Sequence, residues 1–558
     1  MTTDQPHPKI DHDVAEAGTN DKQLDAITES DAEQIGPPRN GSSADVSLEA
    51  ETGEPRTEVP GDPDLPPIYS VHSTWQKRFI VLLASVSAFF SPLTAQIYLP
   101  ALPVLAQEFQ VSDAQINLTV TTYMIFQGIT PMFIGGFADT AGRRPAYVIC
   151  FVVYIAANIG LALSKNYASL LVVRCLQSAG SSTTVALCQA VVADIVTSAD
   201  RGQYIGITAI PAILGPSVGP VLGGVLSQYL GWRWIFWFLA IAASVNLFAV
   251  LFWFPETCRH IVGDGSFRAH PIYNTFSHLL RGKYSRSRRS QELHRTTSSQ
   301  SCPPTLRIRP PNPLSSLRLL ADKELFMLLA YSAIVFAGFY AIVTALPSQL
   351  AALYGFTDLQ IGLMYLPTAG GSLAAAAVVG PAINFNYRRH AARLGMKVDK
   401  ARQADLANFS IESARLEVGL PLLVLSAAVT AAWGWAIEAG APVAVICVLL
   451  FLVGLTIVGF NNSVNVLIVD IYPKKAGAAV AANNLTRCLV GAAATAIIVP
   501  MLNKMGAGGA FTLIAGLYVL LSPMLWIVMR RGMRWRAEVK EKEERKQKEK
   551  EEASSPPN

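Results

Sequence analysis

Gly135-Gly-Phe-Ala-Asp139-Thr-Ala-Gly142-Arg143-Arg144 closes a long apolar run, and its skeleton returns 245 residues later as Gly380-Pro-Ala-Ile-Asn384-Phe-Asn-Tyr387-Arg388-Arg389. Both copies read glycine, three residues, a short acid or amide, two residues, a small or aromatic residue and paired arginines. Each stands where an apolar stretch stops. An internal repeat of this length points to two related membrane halves, an architecture frequent among secondary transporters.

Composition points the same way. The 558 residues are 51% hydrophobic and only 15% charged, with a mean hydropathy of +0.34, unusual for a soluble chain of this length. The apolar residues gather into runs able to cross a hydrocarbon core, which takes roughly 20 helical residues. Twelve are counted: Phe79–Tyr98, Leu118–Phe137, Ala146–Leu163, Ala168–Val192, Tyr204–Leu226, Ile235–Phe254, Leu325–Leu346, Ile361–Ile383, Val418–Ile437, Val443–Phe460, Ala476–Val499 and Ala510–Val528. A soluble core cannot house so many such runs without far more polar surface. The expected fold is an all-α membrane protein of twelve transmembrane helices in two six-helix halves.

Loop charges set the expected orientation. With the first segment inside, the inner loops collect Arg143, Arg144, Arg201, Arg388, Arg389, Arg393, Lys397, Lys474 and Lys475, while outer loops hold little beyond Lys165, Arg233 and Lys504. Positive charge stays on the cytoplasmic side, so both termini are expected there. The domain plan is a disordered acidic tail (1–74), a first six-helix half (75–254), a basic middle loop (255–322), a second half (323–530) and a charged tail (531–558). The acidic tail has too few large apolar residues to fold. In the middle loop, Arg286-Ser-Arg288-Arg289-Ser290 has the pattern of a site for a basic-directed kinase. Trp535 with Arg530, Arg531, Arg534 and Arg536 suits an anionic inner leaflet.

The seven cysteines are scattered, and most lie in spans or cytoplasmic loops, where disulfides are rare. No phosphate-binding Gly-rich loop, His-Glu metal pair or nucleophile elbow is present, which removes support for an ATP-driven pump or a membrane hydrolase. No cofactor or metal is expected, and the chain is not read as an enzyme. The expected partners are a small-molecule substrate, protons and the bilayer, with no nucleic acid, and the protein is expected to be a monomer.

The motifs in order resemble the major facilitator superfamily, and within it the twelve-span drug:proton antiporters. Gly135, Phe137, Ala138, Asp139, Gly142, Arg143 and Arg144 match the first-loop motif of that family, with Thr140 in place of an arginine. Arg174-Cys-Leu-Gln177-Ser-Ala-Gly180 matches the span-four motif. Gly215-Pro216-x-x-Gly219-Pro220-x-x-Gly223-Gly224 resembles the span-five motif of exporters and antiporters, and Pro255-Glu256-Thr257 closes span six. Finer similarity is to fungal members: quinidine-resistance-type multidrug exporters, metabolite exporters and citrate-type organic-acid exporters. The resemblance covers about residues 75–530. It implies the major facilitator fold, efflux at the plasma membrane and a conformational latch, in which Asp139 meets the N-terminus of span eleven and Arg143 pairs with Asp194.

The residues carry part of this on their own. Asp139 suits a helix N-terminus, whose dipole favours an anion. In the second copy Asn384 replaces the acid, so a matching latch there is expected to lack a titratable group. Arg174 lies deep in its run, where an unpaired arginine costs at least roughly 2.5–3.5 kcal/mol. With Gln177 on the same face it is expected to look into a central cavity, opposite Arg487, Asn483 and Asn484 and near Gln127. No Asp or Glu falls mid-run, so the cavity is expected to favour neutral or anionic amphiphiles over cations. Gly215, Gly219 and Gly223 form a bare stripe for a close helix neighbour, and Pro216 and Pro220 loosen the helix that carries it. The leading functional reading is a proton-coupled exporter of small amphiphilic compounds by alternating access. The alternatives are an organic-acid exporter and a non-transporting membrane sensor.

Overall fold

The computed structural model describes residues 70, 72–196, 201–263, 322–393, 409–472 and 476–554. Nearly all of the acidic tail, most of the middle loop and the Ser290 motif lie outside the described residues. Among those described, all regular structure is helical. The order is α1 (Thr74–Ile97), a 3-10 turn at Leu99–Ala101, α2 (Leu102–Glu108), α3 (Asp113–Ala141), α4 (Arg143–Ala162), α5 (Tyr167–Ser181), α6 (Thr184–Ile195), α7 (Arg201–Leu230), α8 (Arg233–Trp253) and α9 (Arg259–Val262). After residue 321 come α10 (Lys323–Tyr354), α11 (Asp358–Leu363), α12 (Leu366–Arg393), α13 (Ile411–Glu438), α14 (Val443–Ile471), α15 (Ala476–Leu521) and α16 (Pro523–Ser554).

Local chemistry fixes where these helices begin and end. Ser73 accepts from the Gln76 N–H while the Gln76 side chain accepts from the Ser73 N–H, a reciprocal cap that starts α1. Ser112 and Gln115 repeat it at α3. Gly142, at φ +108°, divides α3 from α4 in a backbone conformation that a side chain would strain. Gly506, at φ +72°, interrupts α15 in the same way, and the Gly508 N–H just beyond it donates to Glu438 Oε2 at 2.6 Å.

Nine helical stretches among the described residues are long and apolar enough to cross a membrane. The sequence reading expected twelve. The last two expected runs fall in one stretch, Ala479–Glu538. The runs Leu118–Phe137 and Tyr204–Leu226 lie in α3 and α7, which are 29 and 30 residues long and are not among the nine. In α3 the apolar run is diluted by Thr119, Thr121, Thr122 and Gln127.

Successive long helices run antiparallel, giving one end that carries Thr74, the α3–α4 junction and α16, and a far end that carries α2 and α11. The two helix sets, before and after the middle loop, meet toward the far end. A Cβ on Gly128 of α3 would lie 2.9 Å from Cys488 Cβ of α15, and Thr121 and Thr495 exchange a 2.9 Å hydrogen bond one to two turns on. A Cβ on Gly224 of α7 would lie 3.0 Å from Leu359 Cα, and Gln228 Oε1 accepts from the Leu359 N–H. Between α2–α3 and α10 remains a void of about 10 Å³, no larger than a water site. Toward the opposite end, a Cβ on Gly135 would meet open space.

Candidate functional site

Arg143, the first residue of α4, is the hub of the α3–α4 junction. Its Nε donates to Asp194 Oδ2 at 2.9 Å, and its Nη1 reaches Asp139 Oδ1 one helical turn back. Arg143 is buried and Asp194 nearly so, whereas the Asp139 side chain is 65% exposed. The Arg143–Asp194 pair therefore ties α4 to α6, and the weaker, solvent-screened contact is the one to Asp139. The described polar contacts of Asp139 are to Arg143 and, through its carbonyl, to the Cys258 thiol. Residues 473–475, ahead of α15, lie outside the described residues, so the expected meeting of Asp139 with that helix start has no described contact.

Glu256 completes the junction. It accepts from the N–H groups of Arg143 (2.8 Å), Thr257 (3.0 Å) and Cys258 (2.9 Å) through Oε1, and from Arg144 (3.2 Å) through Oε2. Four donors that α4 and its neighbouring loop would otherwise leave open are thus satisfied by one side chain. Burial pushes the Glu256 carboxyl above the usual glutamate range, and the four N–H groups oppose that shift without cancelling it. Arg144 donates to the Leu251 carbonyl at 2.8 Å, closing α4 onto α8.

The second helix set has a charge cluster at the same end. Arg415 of α13 donates to Asp470 of α14 at 2.9 Å, and Tyr387 lies under its guanidinium at 4.8 Å. Glu417 accepts from Asn386 (3.1 Å) and Arg389 (2.9 Å) and lies 2.9 Å from the His390 ring nitrogen. The expectation that this copy lacks a titratable group is corrected: Asn384 is neutral, but α13 supplies Glu417. The apolar run of that span starts at Val418 and the helix at Ile411, so Glu412, Arg415 and Glu417 precede the run yet lie on the helix.

Arg174 and Gln177 do come together. Arg174 Nη1 donates to Gln177 Oε1 at 2.5 Å, and Gln177 Nε2 donates to Asn158 Oδ1 at 2.7 Å. The guanidinium is 1% exposed and sits 4.1 Å from the Tyr98 ring centre and 4.5 Å from that of Tyr123. Two aromatic faces stabilise the buried cation by about 2 kcal/mol each when desolvated, which offsets the cost that sequence alone assigned to it. Its Nε and Nη2 find no hydrogen-bond acceptor. The arginine is therefore enclosed among α1, α3, α4 and α5, and α3 stands between it and Arg487: Tyr123 faces Arg174 while Met124 and Gly128 face α15. Arg174 thus lies on one side of α3 and Arg487 on the other. Tyr98, Tyr123 and Asn158 carried no sequence signal, being ordinary members of apolar runs.

Gln127 and Asn484 lie at the contact of the two sets, and Asn483 and Arg487 flank Asn484 on α15 with partners in the second set. Asn484 Nδ2 donates to the Gln127 carbonyl at 3.3 Å, and Asn483 Nδ2 donates to Asn465 Oδ1 at 2.7 Å. Arg487 lies 4.2 Å above the Phe336 ring, and its buried Nε has no acceptor. Asn461, bonded to Ser332 at 3.1 Å, continues the polar strip in the second set. The strip contains cationic and neutral donors and no carboxylate among the described residues.

The α7 glycines find their neighbour in α1. A Cβ on Gly215 would lie 2.7 Å from Pro92 Cβ, one on Gly219 3.2 Å from the Ile97 nitrogen, and one on Gly223 would overlap the Ile97 carbonyl. Pro220 and Gly224 turn to the other side, against Gly362 and Leu359 of α11. The motif with Pro216 thus joins the two sets at the far end. In α16 the expected arrangement is altered: Trp535 packs on the apolar core and Arg536 pairs with Glu412, leaving Arg531, Arg534 and Arg530, which lies over the exposed Trp526 at 3.6 Å, to face outward.

Comparison with known proteins follows this geometry. The family model described as Major Facilitator Superfamily matches residues 84–398. The MFS-type transporter phiD of Fungal sp. (strain ATCC 74256) is 44% identical over 536 residues, covering 96% of this chain and 80% of that protein. Citrate exporter 1 of Aspergillus niger is 33% identical over 508 residues, covering 89% and 93%. Among solved structures, a D-xylose-proton symporter superposes with a TM-score of 0.57 at 14% identity, covering 80% of this chain and 96% of that one, a likeness of fold alone. On the family match and the identity to these relatives, the chain belongs to the major facilitator superfamily and is a multi-pass membrane transporter rather than an enzyme.

Proposed function

We propose that this protein is a proton-coupled antiporter of twelve spans in two six-helix halves, exporting small amphiphilic organic compounds across the plasma membrane with both termini in the cytoplasm. The observation that carries the direction of transport is the α7 motif, whose Gly223 and Gly224 press on α1 and α11 at once. It couples the closing of the far end to the packing within the first set, as alternating access needs. In this reading the Asp139–Arg143–Asp194 cluster is the opposite latch, and multidrug or metabolite efflux is the biological output. The polar strip around Arg487, Asn484 and Gln127 is the binding surface.

A second reading, an organic-acid exporter, is favoured by Arg487 with its unpartnered Nε and by the similarity to a citrate exporter. Transport into inside-out vesicles from cells making the protein separates the two. Uptake of a neutral hydrophobic drug or of labelled citrate is followed with an acid-interior gradient, with and without an ionophore. Uptake that collapses with the gradient supports coupling to protons, and the preferred cargo decides between the readings. Uptake that persists without a gradient and follows ATP refutes the antiporter.

A further inference from the structure

At the end that carries α16, two glutamates that the transport reading does not use are buried together. Glu324 opens α10 and Glu412 opens α13, and they are 1% and 0% exposed. Their carboxyl groups lie side by side beneath one turn of α16. Gly532 of α16 presses on both: a Cβ there would lie 2.7 Å from Glu412 Cγ and 2.9 Å from Glu324 Oε1. One turn on, on the same face of α16, Arg536 places Nε 2.6 Å from Glu412 Oε1 and Nη2 3.1 Å from Oε2, and it also donates to the Phe409 carbonyl. Among the described residues no ion pair reaches Glu324, and its buried Oε1 accepts no hydrogen bond. Lys323, next to it in the chain, is exposed, and the other described titratable groups around Glu324 are an acid and a phenol. Asp322 caps the Glu324 N–H, and the Tyr472 hydroxyl donates to Asp322.

Among the described residues the enclosed site therefore holds two carboxyl groups and one guanidinium. With both carboxyls ionised, one buried negative charge has no partner, and two acceptor groups face each other with no hydrogen between them. A single proton on Glu324 removes both faults, since its O–H can donate to Glu412 while Glu412 remains the anion for Arg536. We propose that Glu324 and Glu412 bind one proton between them, and that this proton allows α16 to seat on the helix bundle through Gly532 and Arg536. Its release sets two anions against each other beneath Gly532 and lifts that turn of α16. The pair is a proton-binding site separate from the Arg143 junction. It operates whichever compound the protein carries and whichever ion drives it.

The test uses the full-length protein in lipid nanodiscs. Hydrogen–deuterium exchange of peptides spanning Gly532 is measured from pH about 6 to about 9 and corrected for the intrinsic rate, as linkage between a proton and a local opening requires. The corrected exchange is expected to rise by up to about tenfold per pH unit once the proton is lost, and Glu324→Gln, which keeps a neutral donor, is expected to flatten the profile. Glu412→Gln removes the partner of Arg536 and should leave the segment exchanging rapidly throughout. Infrared difference spectra supply a second measurement. The wild-type protein near neutral pH should show a deuterium-sensitive protonated-carboxyl band that either glutamine variant removes. A pH-independent wild-type profile, an unchanged profile in Glu324→Gln, or the absence of that band overturns the proposal.

Discussion

Removing the Glu256 carboxyl should loosen the α3–α4 junction, and the geometry says by how much. Three of its four hydrogen bonds run to Oε1, from Arg143, Thr257 and Cys258, and one runs to Oε2, from Arg144. Glu256→Ala orphans all four donors. Thr257 and Cys258 sit in the short loop ahead of α9, whereas the Arg143 and Arg144 N–H groups are fixed in the first turn of α4. At about 1–3 kcal/mol for each unsatisfied buried donor, the two fixed groups alone cost about 2–6 kcal/mol. Glu256→Gln behaves differently, because its carbonyl oxygen can keep the three Oε1 bonds and only the 3.2 Å bond from Arg144 is lost. Burial already raises the Glu256 carboxyl above its usual range, so ionisation contributes no net stabilisation and the neutral amide should cost only the one orphaned Arg144 donor, about 1–3 kcal/mol. The sign of the pH dependence follows. A raised native value means that the contribution of this group is complete below the ordinary glutamate range and declines as pH rises through the native value. Glu256→Gln should abolish that decline. The assay is the fraction of monodisperse protein left after heating in mild detergent, read at several pH values. Equal losses for the alanine and glutamine variants, or an unchanged pH profile in Glu256→Gln, would refute the capping argument.

Two further outcomes are expected. Asp139→Asn should leave the protein folded and delivered to the membrane, because the exposed pair with Arg143 contributes at most about 1 kcal/mol and Asp194 still holds that arginine. Transport should nonetheless fall about fivefold or more if the charge biases two conformations, and wild-type transport in that variant would reduce Asp139 to an anchor. Gly223→Ala should not be accommodated, since the new methyl would occupy the space of the Ile97 carbonyl. Gly135→Ala, which meets open space, should purify in normal yield, and comparable yields for the two would contradict the α1–α7 packing.

Sequence alone settled a good deal here. The membrane class follows from the apolar runs, because a hydrocarbon core admits only segments whose backbone groups bond internally, and that requirement is written in length and composition. The family was readable from Gly135–Arg144, Arg174–Gly180 and Gly215–Gly224, since a glycine stripe or a charged helix end has few other uses in lipid. The Arg143–Asp194 pair was expected from resemblance and is present at 2.9 Å.

Only the tertiary structure decided which polar groups share a space. Arg174 looked like a cavity residue because depth in a helix is visible in sequence and direction is not. The partners that enclose it, Tyr98 and Tyr123, come from other helices and look like any apolar residue. Glu417 and Glu412 were hidden by a misplaced helix start, as hydropathy ends a span where charge begins, whereas burial against a neighbouring arginine lets the helix run on. The Glu324–Glu412–Arg536 cluster joins residues on three helices far apart in the chain. Their mutual burial depends on Gly532 fitting over both carboxyl groups, a matter of contact distance that no pattern along the chain encodes.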